Sequence, residues 1–261
     1  GVAGPVGGQG TRVPAKSLGQ SRNRCRRGAL ESAKTRNSSM ATGPKNRYAR
    51  GCVRIDWTTD VGPLAAIEPS PREVATHAVA LAAGYNDPAN AKLMGHAAPI
   101  TPDEVVLHYA SMKTAGTRAF LLFCDGALVG DADLRGIHNG AAEFAFMIAA
   151  PTMQGKGLGT RFAVMVHAFA FAELGLDRVY SSVLPENTAS CRVLEKLGYK
   201  DDASAAARAF ADEPGDVVLS LDGATFKRTN AAQLQQIRIL CDTPYSRVPS
   251  MNAVDEKETE T

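Results

Sequence analysis

The apolar positions of the chain follow two rhythms, and the places where one gives way to the other outline its elements. Pro71 to Ala82 has helical spacing and stops at Gly84. Thr101-Pro102-Asp103-Glu104 places a capping hydroxyl, a proline at the first helical position and two acids in the first turn, which opens a second helix through Met112. Arg118–Cys124 and Ala127–Leu134 read as strands joined by the hairpin signal Asp125-Gly126, and a third strand, Ala142–Ala149, follows the loop His138-Asn139-Gly140. Pro151 stops that strand. Gly157–Leu174 is a long helix ended by Gly175, with Phe162, Met165, Val166, Phe169 and Ala170 as its apolar stripe.

Arg178–Leu184 is a strand entering from a crossover, and it is therefore expected to run parallel to a neighbour. Asn187 caps a short helix that reaches Leu197 and closes at Gly198. Two further strands are expected at Ala205–Ala211 and Asp216–Leu221. The order β, β, β, α, β, α, β, β behind two helices implies a single α/β domain with a mixed central sheet.

Outside that stretch the pattern dissolves. The first 50 residues are rich in Gly, Arg, Ser, Asn and Ala and show neither period, and from about Asp242 the chain is polar and acidic. Such segments bury too little apolar surface to offset roughly 1–2 kcal/mol of backbone entropy per residue. The expected organisation is a disordered basic extension over residues 1–54, the domain over 55–230, and a short helix followed by a disordered tail over 231–261.

Charge sharpens the division: residues 1–54 carry 12 Lys and Arg against the single acid Glu31, whereas the remainder carries 17 bases against 26 acids. The extension can be a solvated appendage, an organellar transit peptide, a basic arm for nucleic acid, or sequence translated ahead of a start at Met40. No aromatic residue is interleaved with its arginines, which speaks against nucleic-acid binding by base stacking.

With 261 residues, 44% of them hydrophobic and 21% charged, the composition supports a sizeable core. No apolar run approaches the roughly 18–20 residues of a membrane span, so no membrane partner is expected. The five cysteines, Cys25, Cys52, Cys124, Cys191 and Cys241, are odd in number and never closer than 27 residues, which yields neither a disulfide framework nor a metal knuckle. A reducing, cytoplasmic location follows, or an organellar one if residues 1–40 are a transit peptide. His77, His96, His108 and His138 show no ligand spacing, His167 reads as a packed core histidine, and no metal is implied.

The chemistry concentrates in Gln154-Gly155-Lys156-Gly157-Leu158-Gly159-Thr160, between a strand and a helix. Glycines there allow positive φ and let main-chain N–H groups approach a ligand, and the start of a helix favours an anion. The spacing fits neither a P-loop nor a dinucleotide fingerprint.

In that context the segment resembles the GCN5-related N-acetyltransferase (GNAT) superfamily, whose signature [Gln/Arg]-x-x-Gly-x-[Gly/Ala] is filled by Gln154, Gly157 and Gly159. Glu143-Phe144-Ala145-Phe146-Met147-Ile148 resembles the family's fourth strand. The stretch from Asn187 to Tyr199 is similar to the Asn-x-x-Ser-x-Arg-x-x-Glu-Lys-x-Gly-Phe segment of the RimJ/RimL-like branch. The resemblance covers residues 118–221 well and 71–112 loosely.

What the resemblance implies is a GNAT-like mixed sheet with helices on both faces and an acetyl-CoA site. The pyrophosphate would lie on the backbone of Gly155, Lys156, Gly157, Leu158, Gly159 and Thr160, beside Gln154. Pantetheine would lie along Met147, Ile148 and Ala149, with Asn187 a further contact, and Lys156 and Arg161 would face the phosphates. The implied reaction is direct attack of a primary amine, of a protein N-terminus or a small molecule, on the thioester.

Glu143 stands where family members place a base. The tyrosine that many members use as acid is replaced by Leu194, which leaves Ser190, as proposed in the RimJ/RimL-like branch. A covalent acyl-enzyme on Cys191 is not expected. The replacement at Leu194 also raises a non-catalytic CoA-binding module as the alternative. The loops at about 84–100 and 203–215, where an acceptor would dock, carry no motif.

Overall fold

The computed structural model describes residues 52–94, 98–211 and 215–241. The basic extension up to Gly51, the acidic tail from Asp242 and His96 lie outside the described residues.

A hairpin that is not among the expected elements opens the fold. In β1 (Val53–Thr59), Val53, Ile55 and Trp57 alternate with polar residues and turn into the core; β2 (Gly62–Ile67) carries a proline and two alanines, a weak strand signal. The two pair antiparallel, with Arg54 opposite Ile67. Val53 and Arg54 therefore belong to the sheet rather than to the extension.

Helices α1 (Pro71–Tyr85) and α3 (Pro102–Thr114) start on capping boxes. Ser70 and Thr101 accept from the N–H groups of Glu73 and Glu104, whose carboxylates return to the caps. Between them lies α2 (Pro88–Met94), too short to show a helical period in the sequence. An antiparallel meander follows, made of β3 (Arg118–Cys124), β4 (Ala127–His138) and β5 (Ala141–Ile148).

A 3₁₀ turn at Pro151–Met153 leads to α4 (Leu158–Ala172), and β6 (Arg178–Val183) enters parallel to β5, as its crossover requires. Then come α5 (Thr188–Leu197), β7 (Lys200–Asp201), α6 (Ala205–Arg208), β8 (Val217–Asp222), α7 (Gly223–Thr229), α8 (Ala231–Leu234) and β9 (Arg238–Cys241). Two expectations fail here. Ala205–Ala211 is not a strand, because Ser204 caps the run by accepting from the Ala207 N–H at 3.1 Å and alanine favours helix. Residues 238–241, expected in the tail segment, pair with β1 and extend the sheet.

The described residues form one nine-stranded mixed sheet in the order β7-β8-β6-β5-β4-β3-β2-β1-β9. Helices cover both faces, as expected. The α4 stripe, with α5 and α7, packs the main core on one face, where Phe162, Met165 and Phe169 each contribute about 1.5–3 kcal/mol by burial. On the other face α1 and α3 enclose a second cluster with Leu121 and Met147. No helix among the described residues is long and apolar enough to cross a membrane.

Two buried ionisable groups set opposite acid responses. His167 is fully buried; its Nδ1 lies 2.7 Å from the Ala163 carbonyl and must carry the proton, so Nε2 accepts from the Tyr199 hydroxyl at 2.6 Å. Burial holds its pKa down at about 4. Asp131 on β4 accepts at Oδ2 from the hydroxyls of Tyr85 and Tyr109, the latter at 2.8 Å, and burial outweighs those donors to push its carboxyl up to about 6.

As pH falls from 6.5 toward 4, the unfolded chain takes up a proton at His167 that the native state refuses, and stability is lost. As pH falls from 6 toward 3.8, the native state takes up a proton at Asp131 that the unfolded chain does not, and stability is gained. Between pH 7 and pH 5 the two amount to roughly 2 kcal/mol lost and roughly 1 kcal/mol gained. Urea unfolding at both pH values should therefore show His167→Gln gaining stability on acidification relative to the parent, and Asp131→Asn losing it. Parallel pH profiles in all three proteins would contradict this.

Candidate active site

The two edges of β5 are held unequally, and the site follows from that. β4 pairs with it from Arg135 opposite Glu143 to Gly130 opposite Ile148, whereas β6 pairs only from Ala141 opposite Arg178 to Glu143 opposite Tyr180. Just beyond, the Ser181 hydroxyl donates to the Phe144 carbonyl at 3.0 Å, and the strands part.

Ala149 donates its N–H to the Val129 carbonyl at 2.8 Å, on the β4 side. Successive backbone groups of a strand alternate in direction, so residues 145, 147 and 149 turn toward β4, and 144, 146 and 148 toward the gap. The Ile148 carbonyl accepts from Gln154 Nε2 at 2.9 Å. The gap is thus faced by the N–H and C=O of Phe146 and the N–H of Ile148.

Of the three residues expected along the pantetheine arm, Ile148 turns its N–H to the gap, whereas the Met147 backbone and the Ala149 N–H turn to β4 and the Ala149 carbonyl accepts from Asn90 Nδ2 at 3.2 Å. The Phe146 backbone faces the gap as well; the parity comes from the pairing with β4, which no local signal in β5 reveals.

At the far end of the gap the chain enters α4 through Gly155 (φ 74°) and Gly157 (φ 75°), left-handed conformations in which a side chain is strained. Gly157 is the N-cap of α4 and offers no side-chain acceptor, whereas Ser70, Thr101, Asn187 and Asp222 cap α1, α3, α5 and α7. The N–H groups of Leu158, Gly159 and Thr160 therefore remain for an anion, reinforced by the helix dipole. A Cβ on Gly159 would lie 3.0 Å from the Phe146 ring and 3.4 Å from Val193, so this glycine lets α4 press against β5 and α5.

Gln154 acts as a brace. Its amide donates to the Ile148 carbonyl and, at 3.1 Å, to Asn90 Oδ1, while buried Asn90 donates to the Gly84 carbonyl at 2.9 Å. The end of β5 is thereby tied to α1 and α2. Asn90 was missed because its role depends on residues 59 and 64 positions away.

Lys156 stays exposed beside the cradle. Arg161 is already engaged: it pairs with Asp60 at 2.5 Å, which holds the Asp60 carboxyl below its ordinary range, and donates to the Lys156 carbonyl at 3.3 Å. It clamps the glycine loop as much as it charges it.

Glu143 stands on the last rung before the strands part, 6% exposed, with Arg135 and Tyr180 as its cross-strand neighbours. Strand alternation places its side chain on the α1 and α3 face with Ala145 and Met147. Asn187 Oδ1 accepts from the Ser190 N–H at 3.1 Å. Among the described residues the Ser190 hydroxyl has no hydrogen-bond partner, and it lies one turn before Val193, on the side of α5 that meets the start of α4. Leu194 is wholly buried in the core.

Burial, before the nearby Glu195 and Asp201, raises the Cys191 thiol pKa, which suits a packed residue rather than a nucleophile. No group of three or more metal-ligating side chains occurs among the described residues.

Residues 71–200 match the family model described as acetyltransferase (GNAT) domain. The chain belongs to the GNAT family. Among curated relatives, the chain is 37% identical over 83 residues to a probable N-acetyltransferase, YjcK, of Bacillus subtilis, which is 31% of this chain and 46% of that protein. It is 37% identical over 84 residues to spermidine N(1)-acetyltransferase of Escherichia coli K12, 31% of this chain and 45% of that enzyme. The chain thus spans about half the length of the curated relatives it matches.

Two solved structures share the GNAT fold. Mycobacterium smegmatis RimJ in complex with CoA-disulfide has a TM-score of 0.55 at 15% identity, covering 73% of this chain and 97% of that one. The aminoglycoside acetyltransferase AAC(6')-Ib in complex with coenzyme A has a TM-score of 0.52 at 17% identity, covering 68% and 99%.

Proposed function

We propose that this GNAT domain transfers an acetyl group from acetyl-CoA to a primary amine by direct attack within a ternary complex. The observation that carries the reading is the split between β5 and β6 that leads to the uncapped start of α4. A strand edge with main-chain groups turned into a gap suits an extended amide-bearing arm, and the helix start suits a pyrophosphate.

Acetyl-CoA supplies the thioester that the amine attacks. The Phe146 N–H and C=O and the Ile148 N–H hold the pantetheine arm, the backbone of residues 155–160 takes the phosphates, and Gln154 keeps the two in register. Glu143 removes a proton from the acceptor ammonium at the fork of the strands. Ser190 Oγ gives a proton to the departing thiolate and regains one from the attacking nitrogen as the amide forms, and Asn187 fixes the turn that presents it. The similarity to a spermidine acetyltransferase supports a small polyamine as acceptor, and the resemblance of the Asn187 to Tyr199 segment to the RimJ/RimL-like branch keeps a protein N-terminus as the other acceptor class.

An amine panel followed by free-thiol release tests the proposal. Thiol release that depends on both acetyl-CoA and one of these amine classes is the expected result. Tight acetyl-CoA binding with no release across the panel would favour the non-catalytic binding module.

A further inference from the structure

Asn90 lies on α2, 6% exposed, and both ends of its amide are engaged. Nδ2 donates to two backbone carbonyls, that of Gly84 at 2.9 Å and that of Ala149 at 3.2 Å. Only the nitrogen can meet two carbonyls, so the oxygen is the end that faces Gln154. Gln154 must then present its own nitrogen, and Nε2 reaches both Asn90 Oδ1 at 3.1 Å and the Ile148 carbonyl at 2.9 Å. The orientation of the exposed Gln154 amide is therefore dictated by buried Asn90. The corner that carries Asn90 is itself closely seated: a Cβ on Gly84 would lie 2.4 Å from the Ala149 Cβ, and Asp87 Oδ1 accepts from the Asn90 N–H at 3.2 Å.

This arrangement changes what β5 offers to the gap. Of the carbonyls turned that way, Phe144 accepts from the Ser181 hydroxyl and Ile148 from Gln154, which leaves that of Phe146 as the open one among the described residues. An extended arm added to a strand edge can otherwise slip by two residues, about 7 Å, and meet the same pattern of groups again. A slip toward the fork needs the Phe144 carbonyl, and a slip toward α4 needs that of Ile148. Both are closed.

We propose that Asn90 is a positioning residue which, through Gln154, locks the register in which the acyl-CoA arm adds to β5. The inference rests on the acyl-CoA reading of the gap. A slipped arm keeps as many main-chain bonds but carries the thioester away from Glu143, so the lock bears on the chemical step and not on affinity.

The S-(2,2,2-trifluoroethyl) thioether of CoA, which cannot transfer its group, tests the lock by fluorine NMR and calorimetry on the full chain. The parent protein should show one bound resonance. Asn90→Ala and Gln154→Ala should each bind the thioether within threefold of the parent yet show a displaced or second bound resonance, and kcat with an amine acceptor should fall at least tenfold in both. Gln154 is exposed, so its variant decides the matter if Asn90→Ala does not fold. Asn230→Ala removes a comparably buried amide, bonded to the Leu197 and Phe226 carbonyls rather than to β5, and should keep the single resonance. A parent-like resonance or an undiminished kcat in either folded variant, a displaced resonance in Asn230→Ala, or a tenfold loss of affinity at an unchanged resonance overturns the lock and leaves the acyl-CoA reading standing. A parent protein that binds neither the thioether nor CoA overturns that reading and the lock with it.

Discussion

Glu143→Gln is expected to lower kcat/KM by about 10² or more at pH 7, with much of the loss returning at pH 9–10. The cost of freeing the attacking amine sets this expectation. At pH 7 an α-amino group of pKa near 8 is roughly 10% neutral, which costs about 1.4 kcal/mol, whereas an amine of pKa about 10.4 costs about 4.6 kcal/mol. A base at the fork of β5 and β6 therefore matters most for lysine-like or polyamine acceptors, and raising the pH does its work for it.

Ser190→Ala should respond differently. Its kcat falls below the thiol's own pKa of about 8.5 and recovers above it, since a leaving group that ionises freely needs no donor. Both variants must still bind acetyl-CoA for the comparison to hold. A Glu143→Gln variant that raises the acceptor KM at unchanged kcat across pH would mark the carboxylate as an acceptor-binding group instead.

Gly157→Asp is expected to abolish the stabilisation that acetyl-CoA confers on the parent protein. At a ligand concentration of 100 times Kd that stabilisation is about 2.7 kcal/mol, or roughly 5–10 °C in Tm for a domain of this size. The variant places a side chain at φ 75°, within 2.6 Å of the Arg161 guanidinium, and a negative charge where the phosphates would sit. Gly155→Ala is the control. The Gly155 backbone is equally left-handed, but a Cβ there meets nothing within 4 Å, so it carries the strain without the charge. Thermal unfolding with and without acetyl-CoA should show the shift lost in the first variant and largely kept in the second. An undiminished shift in Gly157→Asp would displace the cofactor from the cradle.

The parts of this protein legible in its sequence are those whose causes lie within a few residues. Capping hydroxyls three residues from their acids, the Asp125-Gly126 turn, the glycines before α4 and the Asn187 cap each act on their own neighbourhood. The meander, the crossover and the cradle could therefore be placed without coordinates. The spacing of Gln154, Gly157 and Gly159, and the segment from Asn187 to Tyr199, carried the family in the same way.

Only the tertiary structure decided what depends on pairings far apart in the chain. That Phe146 rather than Met147 or Ala149 faces the gap follows from the register of β5 on β4, anchored by the Ala149 bond to Val129. That Gln154 braces the loop follows from Asn90, and that Arg161 is a clamp follows from Asp60, 101 residues away. The Val53 to Cys241 rung, which brings the last strand onto the first, joins the two ends of the described fold. A strand of only four residues gains its stability from the edge it joins, and that edge is assembled only when the chain folds.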